Sequence, residues 1–314
     1  EMHHSLKCAS HDGSIFRYYH FFFACLIPLI DFRHENPDSE IILFSDVGPF
    51  SAVLSGELPL SLSFGNESFE SRTKISYLPA YDVFDSKYFE NQSVPRMPTA
   101  VRDDVLSFIE KTKPMDISIF PSLPYLPEPP IIVLIERKGD VPLNTQSFKA
   151  ASGASRRRIR NHQHLEQALR KKYGSSFVNI ALEGMGIYAQ YYLFSTASVV
   201  IGQHGAALSN IFFMRSIPSS EEKLARKPSH VVEISSPYSR RAKYFKNLAS
   251  FCNVSFSSIA QERNLGNVSV ASVVNHVDCV LRNLNQVSTL DKGMIGKLCG
   301  DDIDRLTKNA VVEH

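Results

Sequence analysis

Apolar and polar positions along this chain follow two rhythms. Short continuous runs of β-branched residues stop at glycine or at a charged residue, and between them apolar residues recur three and four apart. The clearest run is Val199-Val200-Ile201-Gly202, followed by Gln203-His204-Gly205-Ala206-Ala207 and an apolar helical pattern through Met214. A run that short and continuous predicts a buried parallel strand, here leading through a thin turn into a helix. Ile131–Arg137 and His230–Ile234 read as further strands. Leu165, Ala168 and Leu169 fall on one face of a predicted amphipathic helix, with Asn161 as its N-cap. Tyr244–Ala249 and the stretch from Ala271 onward read as two more helices. Such alternation predicts an α/β protein with doubly wound parallel sheets.

The proline-rich stretch Pro121 to Pro130 interrupts the pattern and reads as an interdomain linker. It separates a first lobe, 1–126, from a second, 127–286, and leaves 287–314 as an extension of the kind that crosses back to the first lobe. The 314 residues suffice for two lobes with cores of their own.

Charge narrows the partners. The chain has 34 Lys+Arg against 32 Asp+Glu, a formal net charge of +2, which argues against a nucleic-acid partner despite the run Ser155-Arg156-Arg157-Arg158-Ile159-Arg160-Asn161. The longest apolar run, Phe21 to Ile30, is half of the roughly 20 residues a spanning helix requires, so no membrane segment is expected. Five cysteines fit one or two disulfides with a free thiol, or none. Asn66, Asn91, Asn253 and Asn267 each head an Asn-x-Ser sequon. The balance favours a Golgi or endoplasmic reticulum lumen, with the cytoplasm as the alternative.

The chemistry concentrates at the turn after Gly202. Gly205, Ala206 and Ala207 let a ligand approach the backbone, and the amides opening the next helix suit a diphosphate. His204 either serves that ligand or bridges two loops in a packed turn. Arg137, ending its strand, and Arg158 supply guanidinium forks for phosphate oxygens. Glu233 either pairs with a nearby base or accepts hydrogen bonds from sugar hydroxyls. Tyr244 and Phe245 either stack on a base or fill the core. No Gly-x-Ser-x-Gly elbow accompanies the His-Gly turn, so an esterase is excluded. No Gly-x-Gly-x-x-Gly fingerprint follows the first strand, so a dehydrogenase is excluded as well.

Strand-Arg137, Arg158-Ile159-Arg160-Asn161, Gly202-Gln203-His204-Gly205-Ala206-Ala207-Leu208-Ser209-Asn210, Val231-Val232-Glu233-Ile234 and Tyr244 to Ala249 occur in one order. Together they resemble glycosyltransferase family 61, which includes xylosyl- and N-acetylglucosaminyltransferases. Tyr18-Tyr19-His20-Phe21-Phe22 and the strand ending at Asp46 resemble its N-terminal half more weakly. This chain has Ala207 where the family often has glycine, and His162 where an acid often stands. The resemblance implies a GT-B architecture: two Rossmann-like lobes with a cleft between them. It also implies inverting transfer from a UDP-sugar to a hydroxyl of a glycan or glycoprotein. Donor contacts would fall to Arg137, Arg158, Asn161, Gly202, His204, Gly205, Ala206, Glu233 and Tyr244. His20 is the candidate base, with Asp46 in reserve. No Asp-x-Asp follows an apolar strand and no zinc-type cluster occurs, so metal-independent transfer without a cofactor is expected. An inactive relative acting as a binding or scaffolding module is the alternative.

Overall fold

The computed structural model describes residues 3–8, 21–45, 47, 50–51, 54, 58–60, 62–65, 75–79, 81, 97–114, 131–137, 159–217, 228–237, 243–262 and 266–286. His20, Asp46, Arg158, the proline-rich stretch and 287–314 lie outside those residues. The chain divides into two compact units, 1–121 with 186–189, and 122–185 with 190–314. Each carries a parallel sheet, a mixed α/β arrangement compatible with Rossmann-like lobes.

In the first unit, β1 (His3–Lys7), β2 (Glu40–Leu43), β3 (Leu62–Phe64) and β4 (Ser76–Tyr77) line up as β3-β2-β1-β4. The strands are short, and both residues of β4 are exposed. Burial is supplied instead by the aromatic block that follows β1: Phe21, Phe22, Leu26, Ile27, Leu29 and Ile30 are all fully buried. That block is not a plain helix. Phe22–Leu26 forms a π-helical turn in which the Ile27 N–H donates to Phe22 O, before α1 (Ile27–Glu35) begins. Pro28 is the cause: it has no N–H for Ala24, and its ring would crowd that carbonyl in a regular α-turn. Cys8, directly after β1, is disulfide-bonded to Cys25 in the π turn. At the far end of α1, the buried Arg33 donates to the carbonyls of Pro37 at 2.8 Å, Ser39 at 2.6 Å and Leu60, tying the helix to the strands it feeds. In α2 (Thr99–Thr112), Val101, Val105 and Ile109 recur every four residues and are buried where the helix packs on α1.

The second unit contains β5 (Ile132–Glu136), α3 (His162–Tyr173), β6 (Phe177–Ala181), α4 (Ile187–Thr196) from Gln190 onward, and β7 (Val199–Gln203). A 3-10 helix, Ala206–Phe213, comes next, then β8 (His230–Ser235), α5 (Tyr244–Phe251), β9 (Ser255–Ala260) and α6 (Val270–Gln286). All five strands are parallel, in the order β6-β5-β7-β8-β9. One face of this sheet, with Ile132, Leu134, Val199, Ile201, Val232 and Ile234, packs on Leu165 and Leu169 of α3 and the valines of α6. Alternation therefore assigns Glu136 and Gln203 to the same face, and Gly202 and Glu233 to the other.

Two local expectations change. Asn161 occupies the N-cap position of α3, but its side chain makes no cap hydrogen bond. It accepts from the Val268 N–H at 3.0 Å and donates to Val268 O at 2.8 Å, pinning the start of α3 to the approach to α6. The helix after His204 is 3-10 rather than α. Leu208 to Phe213 are all buried, so no solvent face sets a 3.6-residue period. Its bonds run three residues back: Leu208 N–H donates to Gly205 O at 2.9 Å, and Asn210 Nδ2 to Ala207 O at 3.2 Å.

At the amino end of β8, His230 Nε2 meets Ser257 Oγ at 2.7 Å, and Ser257 Oγ meets His276 Nε2 at 2.6 Å. Burial pushes His230 down to about 3 and His276 to about 4; the neighbouring His276 adds to the shift of His230. Among the described residues no helix is long and apolar enough to cross a membrane.

Candidate functional site

The chain leaves β5 for β6 on one side and returns to β7 on the other, so β5 and β7 flank the point where strand order reverses. In open α/β sheets the crevice beyond the carboxyl ends of such a pair is where ligands bind. β5 ends on Glu136 and delivers Arg137 there; β7 ends on Gln203 and delivers His204 and Gly205. A sequence rhythm of buried strand followed by small residues has thus been folded onto the one edge that topology leaves open.

Contacts show why small residues are required. A Cβ at Gly202 would come within 2.7 Å of Leu208 Cδ2 and 3.2 Å of Ile135 Cδ1. A Cβ at Gly205 would lie 1.5 Å from Arg137 Nη2. The Arg137 guanidinium thus rests directly on the turn, and its Nη2 donates to His204 O at 3.3 Å. Glycine at 205 lets a fixed cation sit against the backbone just before the 3-10 helix. The first N–H groups of that helix have no acceptor within it. Cation and amides together form an anion-attracting corner.

His204 is held from several sides. Its N–H donates to Ile234 O at 3.0 Å. Its Nδ1 donates to Glu233 Oε1, and both side chains are about 5% exposed. Its ring meets Phe245 edge-on at 5.0 Å, and Tyr244 lies 6.2 Å away. Of the two alternatives for Glu233, the structure shows pairing with a base. The aromatics differ as well: Phe245 is buried, whereas Tyr244 is only half-buried. Further along, Asn210 donates to Gln190 Oε1 at 2.8 Å, and Gln190 donates to Met185 O at 2.8 Å, which anchors the 3-10 helix to α4.

A pocket opens at the same strand ends, lined by Ile135, Glu136, Arg137, Ile159, His162 and Gln203. Gln203 Nε2 donates to Gln261 Oε1 at 3.2 Å, and Gln261 Nε2 donates to Gly266 O at 2.8 Å. Arg160 N–H donates to the same carbonyl at 3.1 Å.

Of the sequence candidates, Arg137, Gly202, His204, Gly205, Ala206 and Glu233 gather at the ends of β5, β7 and β8, with Tyr244 beside His204. Asn161 stands at the start of α3, next to the pocket residues Ile159 and His162. Glu136, Gln203, Gln190 and Gln261 were not singled out by the sequence. Glu136 and Gln203 end their strands, and only the pairing of β5 with β7 shows that they are neighbours.

No curated protein matches the chain. The family model described as Glycosyltransferase 61 matches residues 18–217, well over half of the 314. The match runs from the segment before the π turn, across β5 and α3, to just beyond the His204 turn and its 3-10 helix. The match takes in β5, β6 and β7 with Arg137 and the glycine-lined turn, and ends before β8 and β9; the chain belongs to glycosyltransferase family 61.

Proposed function

We propose that the protein is an inverting glycosyltransferase that moves a sugar from a UDP-sugar to a hydroxyl of a glycan or glycoprotein, with UDP-xylose and UDP-GlcNAc as favoured donors. Membership of family 61 supports sugar transfer. The observation that carries the donor assignment is Arg137 lying on the Gly205 backbone at the switch point of the second sheet. The diphosphate would rest there, facing the Arg137 guanidinium and the amides of Gly205, Ala206 and Ala207, with Arg158 as a second cation. His204 and Glu233 would act from behind, holding the turn in place. Tyr244 would border the nucleotide, and Asn161 would fix the start of α3 beside it.

In this reading the second unit is the donor lobe of a GT-B enzyme and the first unit is its acceptor side. His20 takes the proton from the attacking hydroxyl, a contribution of roughly 10²–10⁴-fold, with Asp46 as the reserve base. Guanidinium and amide groups meet the charge on the leaving diphosphate, each bond contributing about 1.5–3 kcal/mol. This donor set supports transfer without a metal. The Cys8–Cys25 disulfide supports an oxidising compartment such as the Golgi or endoplasmic reticulum lumen.

Thermal-shift screening against a panel of nucleotide sugars tests the proposal, followed by measurement of UDP release from each stabilising donor. Stabilisation by UDP and slow donor hydrolysis are the expected results. A protein that ignores every uridine nucleotide refutes the donor assignment.

A further inference from the structure

The geometry points to Glu136 and Gln203 as a pair of acceptors that hold the ribose diol of the donor nucleotide, an inference that rests on the donor assignment above. Gln203 is 5% exposed, and the direction of its amide is set by a relay. The Gly266 carbonyl can only accept, so Gln261 must turn its NH2 toward it, which leaves Gln261 Oε1 facing Gln203. Gln203 must then donate its own NH2 to that oxygen. What remains for the pocket is Gln203 Oε1, which accepts and cannot donate, and which has no hydrogen-bond partner among the described residues.

Glu136 provides the second acceptor. The β5–β7 register pairs Leu134 with Ile201, and two residues further on it sets Glu136 beside Gln203 on the same face. Its half-buried carboxylate lines the pocket and has no hydrogen bond or ion pair among the described residues. Strands lie about 4.8 Å apart, so the two acceptors match two hydroxyls on neighbouring carbons. The phosphates are assigned to Gly205 and to Arg137, whose guanidinium side chain borders the same pocket. Sugar hydroxyls are the partners expected of a strand-end acid. Glu233 cannot serve them, because it is buried, paired with His204 and on the opposite face.

Calorimetry with UDP and 2′,3′-dideoxy-UDP tests the pair. The unaltered protein should bind the dideoxy compound about tenfold or more weakly, one or two hydrogen bonds' worth. In Glu136→Ala and Gln203→Leu that penalty should fall below about threefold, while dideoxy-UDP binds much as before. Glu136→Ala decides by itself if Gln203→Leu loses both ligands, since the Glu136 side chain makes no hydrogen bond or ion pair among the described residues and its backbone pairing with Ala181 survives the change. Equal affinity of the unaltered protein for the two nucleotides, or a full penalty in Glu136→Ala, overturns the diol assignment and leaves the donor assignment standing. No UDP binding at all overturns both.

Discussion

Gly205→Ala separates what the turn does for the fold from what it does for the ligand. The new methyl would sit 1.5 Å from Arg137 Nη2, 2.7 Å from Cζ and 3.3 Å from Nη1. Carbon and nitrogen rest about 3.5 Å or more apart, so the guanidinium must leave. The obstacle is the tip of a flexible side chain rather than backbone, so the guanidinium can move aside. Its bond to His204 O at 3.3 Å is lost, a cost of about 1 kcal/mol. Gly205 also has φ 157° and ψ 178°, a backbone conformation nearly confined to glycine, and alanine there adds about 1–3 kcal/mol of strain. In a domain of this size the two together lower Tm by about 4–16 °C. The ligand should lose affinity as well. A charge-assisted bond from Arg137 to a diphosphate contributes about 1.5–3 kcal/mol, so UDP should bind roughly 10- to 100-fold more weakly. Calorimetry beside a thermal melt measures both quantities. UDP affinity of the folded variant within twofold of the unaltered protein would show that the displaced guanidinium never faced the phosphates.

Arg158→Ala should weaken UDP binding at least about tenfold by calorimetry; an unchanged Kd removes Arg158 from the site. His20→Ala should abolish transfer while UDP still binds, and near-normal turnover assigns the base elsewhere. Activity should survive EDTA, whereas complete loss restored by Mn²⁺ would overturn metal-independent transfer. His230 and His276 titrate at about 3 and about 4 in the folded protein, below the free value of 6.5, because burial disfavours their charged forms. Their contribution is therefore complete above pH 6.5 and falls as pH drops toward 4. The loss approaches roughly 1.4 kcal/mol per histidine per pH unit. Urea midpoints measured from pH 7.5 to 5 should fall accordingly, and a flat profile refutes this account of the buried histidines.

The second unit was legible because a strand buried on both faces is apolar nearly throughout, as Val199–Ile201 and Ile131–Ile135 are, and as Val231–Ile234 is apart from Glu233. The first unit was not. β1 is His-His-Ser-Leu-Lys and β4 is Ser-Tyr; neither alternates clearly nor runs apolar, and β1 is a strand because β2 accepts it as a partner, β4 because β1 does. The π turn was hidden for another reason. Phe21 to Ile30 is apolar all round, so periodicity is blind there, and Pro28 acts on the backbone four residues earlier rather than on the pattern.

At the turn after β7 the sequence marks residues that the structure brings together, but not the direction in which each one faces. His204 sits in the most ligand-like turn of the chain, yet its imidazole is turned inward to Glu233 and Phe245. The glycine after it is what meets the cation. The reason is the pleat: Gly202 and Glu233 share one face of the sheet, so the residue that follows β7 finds an acid from β8 waiting behind it. Gln203 faces the other way and draws its partner from beyond β9, more than fifty residues downstream. A motif read along the chain merges these two faces into one string. The sheet turns them to opposite faces, and Arg137 bridges the two: its guanidinium rests on Gly205, and it lines the pocket that Gln203 also lines. In the proposed reading one nucleotide diphosphate spans that arginine, with its phosphates at Gly205 and its ribose hydroxyls at Gln203.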